Sequence, residues 1–167
     1  MMVSWRSSWA ITKTKSVLSR VFSWRKFSPP SVSKMKIDSE SDIYKDFKKS
    51  VPGFYERIDS LSIPDIHYCI PCGKSGWIEC KFQKEWPKKK ETACNFGLRP
   101  EQAIFLSNYC KYGKGFLLVW IEGEYLLFSG KDAFTIRIGG ITQVQARLMA
   151  LEVWDGNSSL KNLIRHF

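Results

Sequence analysis

Two carboxylates and a lysine have a spacing that suits metal-dependent phosphate chemistry. Asp65 follows a proline, and Glu79 and Lys81 stand two positions apart within the apolar stretch 77–82. Side chains two apart in a strand share a face, and pairing of the two strands through the turn at 71–76 would bring all three groups together. Neighbouring carboxylates repel each other, and a set of oxygen ligands favours Mg²⁺ or Mn²⁺ as the neutralising cation. A lysine beside that cation can assist a water molecule and offset charge on a phosphate.

A simpler interpretation of these charges stays open. Charged residues that alternate along a strand are usually its solvated face. The stretch 77–82 is otherwise mostly apolar, however, and ionised groups in a largely buried strand need partners. This context favours a site over a solvated face.

The elements that would position these groups follow from the apolar pattern and the breaker residues. The pattern predicts the order αβββαββα after residue 35, hence an α/β or α+β fold in which helices flank a central mixed sheet. The predicted helices are 39–50, 99–112 and 142–153, and the predicted strands are 54–58, 64–70, 77–82, 116–121 and 124–128. Residues 35–167 are enough for one hydrophobic core. The longest apolar run, 116–121, is far shorter than the roughly 20 residues of a membrane span.

Most of the net charge of +10 lies in an N-terminal arm, residues 1–34, which is rich in serine and basic residues. No acidic residue precedes Asp38. Three interpretations of the arm remain open: a disordered segment that binds nucleic-acid phosphates, a mitochondrial-type presequence, or an extension without a folded role. We expect a cytoplasmic protein of a bacterium or a phage-infected cell, with the mitochondrial matrix as the alternative.

The five cysteines are odd in number and no secretory signal is recognisable, which favours free thiols in a reducing compartment. Cys69 and Cys72 have the spacing of half a zinc site, which His67 and Cys94 would have to complete. His67 is more simply an ordinary strand residue than a base or a ligand.

At this point the sequence resembles the PD-(D/E)xK nuclease superfamily. Pro64-Asp65, followed by Glu79-Cys80-Lys81, matches its motif on the expected elements. The segment Leu98–Gln102 with the later Gly113 resembles a helix of VRR-NUC and Holliday-junction-resolvase-like nucleases, which are common in phages. Ile63 stands where many relatives have glycine.

The resemblance implies a restriction-endonuclease-like core and a role for each matching residue. Asp65 and Glu79 would be metal ligands, joined by the Cys80 carbonyl and by Glu40 from the first helix. Asp65, Glu79 and Lys81 would be catalytic, and Gln102 would orient water or the scissile phosphate. Glu40 and Gln102 are chosen for these roles over two nearby acids, Glu56 and Glu101, that could be mistaken for them.

We therefore expect a Mg²⁺-dependent (or Mn²⁺-dependent) DNA endonuclease that acts on branched or structured DNA, in the manner of a Holliday junction resolvase. Two symmetric cuts across a junction would call for a homodimer. One alternative keeps the chemistry in a restriction-like or repair nuclease. The other is a catalytically inactive nucleic-acid-binding module, in which the basic arm and Lys88–Lys90 bind phosphates.

Overall fold

The computed structural model describes residues 36–71, 73–156 and 160–167 of the 167-residue chain. The interpretations of the arm at 1–34 lie outside these residues, as does Cys72. The described helices are α1 (Glu40–Ser50), α2 (Pro100–Tyr109), α3 (Ala133–Gly139) and α4 (Gln143–Met149), with 3-10 helices at Gly130–Asp132 and Leu160–His166. The strands are β1 (Phe54–Arg57), β2 (Ile66–Cys69), β3 (Ser75–Gln83), β4 (Lys114–Ile121), β5 (Glu124–Ser129) and β6 (Glu152–Asp155).

The six strands form one mixed sheet in which spatial order follows chain order, β1 to β6. The pair β3–β4 is parallel, and α2 lies between these strands in the chain; the other neighbours are antiparallel. Ile66 of β2 lies opposite Ile78 of β3. This register places Asp65, one residue before β2, beside Glu79.

The core has two parts, one on each face of the sheet, and β4 contributes to both. Phe116 and Leu118 pack with α1 residues such as Phe47 in one cluster, whereas Leu117 and Val119 pack with α2 residues such as Leu106 in the other. A strand that is apolar on both sides is typical of the centre of a covered sheet. β3, which carries the candidate residues, runs beside β4 and is therefore held at the centre of the fold.

Local signals in the sequence explain where several elements begin and turn. The Ser39 hydroxyl accepts a hydrogen bond from the Asp42 N–H and caps α1. Pro100 begins α2, where its missing N–H costs nothing. The β4–β5 hairpin turns through Glu122 and Gly123, whose φ values of 48° and 85° are those of a tight two-residue turn.

The structure confirms the predicted fold class, a mixed sheet flanked by helices, and the predicted order through β5. It differs near the C-terminus. The helix predicted over 142–153 ends at Met149, because the Leu151 N–H donates to the Leu127 carbonyl at 2.7 Å and the chain continues as β6 along β5. Helix α3 was not predicted. Among the described residues, no helix has the length and apolar composition required to cross a bilayer.

Candidate active site

Two reciprocal hydrogen bonds join the entry of β2 to the middle of β3. The Asp65 N–H donates to Glu79 Oε2 at 3.2 Å, and the Cys80 N–H donates to Asp65 Oδ2 at 2.9 Å. Each carboxylate is thus oriented by a backbone donor of the neighbouring strand. The antiparallel register that places Asp65 beside Glu79 is what makes both bonds possible.

A lysine of β3 is held between two carboxylates, one from the same strand and one from α1. Lys81 Nζ lies 2.5 Å from Glu79 Oε1 and 3.4 Å from Oε1 of Glu40, the first residue of α1. The Glu79 side chain is 0% exposed and that of Lys81 7%, whereas Glu40 is 42% exposed and lies at the rim. We call these four residues, Glu40, Asp65, Glu79 and Lys81, the Glu79 cluster.

Burial and like charges perturb every titratable group at the centre of the cluster. Burial, followed by the charge of Asp65, raises the pKa of Glu79 to about 8. Burial also raises the pKa of Asp65, against the opposing effects of the Cys80 N–H and of Lys81. Burial alone would lower the pKa of Lys81, but the carboxylates around it raise that pKa above its usual value. The cluster is short of positive charge.

This donor set fits a divalent cation bound by oxygen. The cluster has one ammonium group against three acids, and burial raises the pKa values of both Asp65 and Glu79. A cation would offset the cost of charging these buried carboxylates and the repulsion that Asp65 exerts on Glu79. Within the described ranges, no three Asp, Glu, His or Cys side chains form a ready-made metal cage. Any cation would therefore take further oxygens from the backbone, water or substrate.

The structure brings together most of the residues singled out from the sequence, but not Gln102. Gln102 is buried on α2, and its amide oxygen accepts from the Arg99 N–H at 3.3 Å at the start of that helix. Cys80 has its side chain on the opposite face of β3, in the same core cluster as Phe47, so only its backbone faces the acids. Burial raises the pKa of the Cys80 thiol well above its usual value, which keeps it protonated.

Arg57, at the end of β1, is a residue that the sequence reasoning missed. Its guanidinium lies 5.8 Å above the Tyr44 ring and donates to the Ser41 hydroxyl at 3.3 Å. Its charge also acts to lower the pKa of Asp65. This arrangement offers a positive group at the rim of the Glu79 cluster. The available signal was the five-residue connection between the predicted strands 54–58 and 64–70, since so short a connection favours pairing that places the end of the first strand beside the start of the second.

The histidine and cysteine candidates have ordinary surroundings. The His67 ring packs on Trp77 with 4.8 Å between ring centroids, as an ordinary strand residue would. Cys69 and Cys94 are free thiols, and Cys94 forms a backbone bridge with Ile141. Because Cys72 lies outside the described residues, the zinc site stays an untested prediction.

The backbone of this chain is similar to that of a Holliday junction resolvase of known structure. That structure is Hjc, a Holliday junction resolvase from the archaeal hyperthermophile Archaeoglobus fulgidus, with 13% sequence identity and a TM-score of 0.41. The match covers 68% of this chain and 95% of the other. No family model and no curated protein sequence matches the chain. We therefore base the proposed function on this chain's own residues.

Proposed function

We propose that this protein is a divalent-metal-dependent nuclease that hydrolyses phosphodiester bonds in DNA. The observation that supports this function most directly is the Glu79 cluster, in which a fully buried carboxylate lies beside a second carboxylate and one lysine. Clusters of perturbed titratable groups are concentrated at functional sites, because unbalanced buried charge destabilises a fold. The spacing of Asp65, Glu79 and Lys81 is that of the PD-(D/E)xK nucleases noted above.

Each residue of the Glu79 cluster would have its own role in this reaction. Asp65, Glu79 and the Cys80 carbonyl would hold Mg²⁺ or Mn²⁺, with Glu40 as an outer ligand. The cation would supply positive charge to the scissile phosphate and make a water molecule more acidic. Lys81, held by Glu79 and Glu40, stays protonated and would offer its ammonium group to the charge that develops on the phosphate.

Gln102 keeps a proposed role as a group that orients water or phosphate. Its amide oxygen is engaged at the start of α2, which leaves the amide NH₂ group as the part able to donate to an oxygen. Arg57 is a further candidate for phosphate contact, because its guanidinium is already held at the rim by Tyr44 and Ser41.

We propose branched or structured DNA, in particular a four-way junction, as the substrate. Resolution of a junction takes two symmetric cuts, so the active form would be a homodimer. A restriction-like or repair nuclease is the alternative with the same chemistry. An inactive binding module is the alternative without it, and it would bind DNA in a salt-sensitive manner that is indifferent to Mg²⁺.

The test is cleavage of end-labelled four-way junction, flap, nicked and linear DNA in Mg²⁺ or Mn²⁺. Lys81→Ala should lower the rate by at least about a hundredfold, since it removes an electrostatic contact to the developing charge. Lys131→Ala, at an exposed lysine on the 3-10 helix after β5, is the matched control and should cleave normally.

Each outcome decides between the candidates. Paired symmetric cuts on the junction alone, lost in Lys81→Ala, would support a resolvase. Cuts spread over flaps or nicks would keep the nuclease and exclude the junction role. Turnover that survives in Lys81→Ala would contradict the assigned chemistry. Persistent binding without cleavage in either cation would favour the inactive module.

A further inference from the structure

An open apolar groove lies between α2 and the loop that leads into β2. It has a volume of about 610 Å³, within the range of small-molecule sites. Ile63 of the loop lies on one side, and Ile104, Phe105, Tyr109 and Tyr112 of α2 and its following turn lie on the other. We call this the α2 groove.

The aromatic wall of the α2 groove is held rigid from behind. Trp77 of β3 packs edge-on against Phe105 at 5.3 Å and against Tyr109 at 6.5 Å between ring centroids. Phe105 and Tyr109 are themselves parallel to within 9°. Beyond them Tyr112 is 92% exposed, which is unusual for so large a ring. The wall is thus preformed, with a solvated ring at its outer end.

The α2 groove begins next to the Glu79 cluster. Ile63 lies two residues before Asp65, which is at most about 7 Å of extended chain. A DNA strand whose phosphate reaches Asp65 therefore has its next nucleotides at the mouth of the groove.

The chemistry around the groove suits a nucleotide. Among the described residues, Glu101 is the one charged residue of the lining, and Arg99 and Lys111, outside the lining near the two ends of α2, provide positive charge for a backbone. Lys111 Nζ is 2.9 Å from Asn108 Oδ1. Ser62 and Asn108 contribute hydrogen-bonding groups to the lining, and the aromatic wall offers a stacking surface. A base within a duplex is already stacked on both sides, so an unpaired base is the one able to use this wall.

We propose that the α2 groove holds an unpaired base of the DNA strand, adjacent to the phosphate that is cut. The inference rests on the proposed nuclease function and deepens it: the groove would select DNA that has an unpaired nucleotide at a branch or an end. Tyr112 stacks on the base, and Tyr109 and Phe105 form the aromatic wall beside it.

The test measures binding of the full chain to a forked duplex with unpaired arms and to a linear duplex of equal length. The buffer contains EDTA to prevent metal-dependent cleavage. The fluorescent base 2-aminopurine is placed in turn at each unpaired position near the branch. The test variant is Tyr112→Ala, which opens no cavity because the ring is exposed. The controls are Tyr112→Phe, which keeps the ring, and Phe54→Ala, which removes a ring that is 66% exposed on β1.

We expect fluorescence quenching at one unpaired position. Tyr112→Ala should abolish this quenching and weaken binding of the fork by about 5- to 100-fold. Linear-duplex binding should be unchanged, and Tyr112→Phe and Phe54→Ala should behave like the unmodified protein. Equal losses on fork and duplex, or no loss on either, would overturn the proposal. The proposal would also be overturned by an unquenched probe together with an oligomer that Tyr112→Ala dissociates, since the groove would then be an interface between two copies.

The cleavage and quenching experiments together distinguish failure of the groove proposal from failure of the nuclease proposal. Quenching that depends on Tyr112, in a protein that cleaves none of the DNAs in Mg²⁺ or Mn²⁺, would support the groove and contradict the nuclease. Cleavage of DNA that is unaffected by Tyr112→Ala, without quenching at any position, would support the nuclease and overturn the groove.

Discussion

Two clusters of charged side chains are attached to the same sheet and differ in balance. The Glu79 cluster has three carboxylates around one ammonium group, at the centre of the sheet. The second, which we call the Glu152 cluster, consists of Glu152 on β6 with Arg165 and His166 on the C-terminal 3-10 helix. Glu152 is paired with Arg165 and lies 2.6 Å from the His166 ring nitrogen, and the Arg165 side chain is 60% exposed.

Under the proposed function, the difference separates a functional arrangement from a structural one. The Glu152 cluster satisfies its one acid with two donors at the rim of the fold, where such pairs contribute about 0.2–1 kcal/mol. The Glu79 cluster instead buries more acid than it can neutralise, which raises the pKa values of both central carboxylates. We propose that a cation and a phosphate complete the Glu79 cluster, because unneutralised buried acid is costly to a fold.

The sharpest comparison is the same change, from carboxylate to amide, in both clusters. Asp65→Asn removes a largely buried negative charge and keeps an amide oxygen that can accept from the Cys80 N–H, while the contact between Glu79 and Lys81 stays in place. In the absence of divalent cations this change should raise the melting temperature by about 3–6 °C, because it removes the repulsion between Asp65 and Glu79 at a gain near 1 kcal/mol. Glu152→Gln removes the ionic partner of Arg165 and His166 and should lower the melting temperature by about 1–4 °C.

Thermal unfolding followed by circular dichroism at pH 8 in EDTA measures both effects. Opposite signs would sustain the distinction between the clusters. A loss of stability in Asp65→Asn as large as that in Glu152→Gln would show that both clusters are structural.

A smaller effect is expected from pH at the Glu152 cluster. Burial, then the charges of Arg165 and Lys114, lower the pKa of His166 below 6.5, so native His166 is neutral and donates from Nε2 to Glu152. The unfolded chain binds this proton more readily, so the contribution of His166 is complete above pH 6.5 and is lost as the pH falls. His166→Gln should therefore lose less stability than the unmodified protein between pH 6.5 and 5, by under about 1 kcal/mol.

Urea unfolding at several pH values gives this difference directly, since His67 and the carboxylates are common to both proteins. Equal slopes would show that the pKa of His166 is not lowered. A steeper loss in His166→Gln would show that Glu152 raises that pKa instead.

Local sequence was enough to predict the approach of Asp65, Glu79 and Lys81. Two of them are separated by one residue in a strand, and the third is brought close by a short turn between antiparallel strands, so little depends on distant parts of the chain. Glu40 was placed at the site by the family resemblance alone, because a helix start at Ser39 does not by itself bring Glu40 to Lys81. The roles of these residues in chemistry remain predictions.

Features that depend on distant contacts were not predictable in this way. Ala150 to Glu152 contain no helix breaker, and their own propensities are compatible with a continued helix. It is the pairing with β5 that converts Glu152–Asp155 into β6. Arg57 likewise gains its place at the site through Tyr44 and Ser41 of α1, which are separated from it by a turn and a strand. Sequence periodicity does not carry such information.

The central claim is that the Glu79 cluster is a cation site, and this is testable without knowing the substrate. Thermal unfolding is measured with saturating MgCl₂ or MnCl₂ and with NaCl at equal ionic strength. We predict that the divalent cation raises the melting temperature by about 5 °C or more in the unmodified protein and in Glu152→Gln, but not in Asp65→Asn. No cation-specific rise, or an equal rise in Asp65→Asn, would contradict the claim.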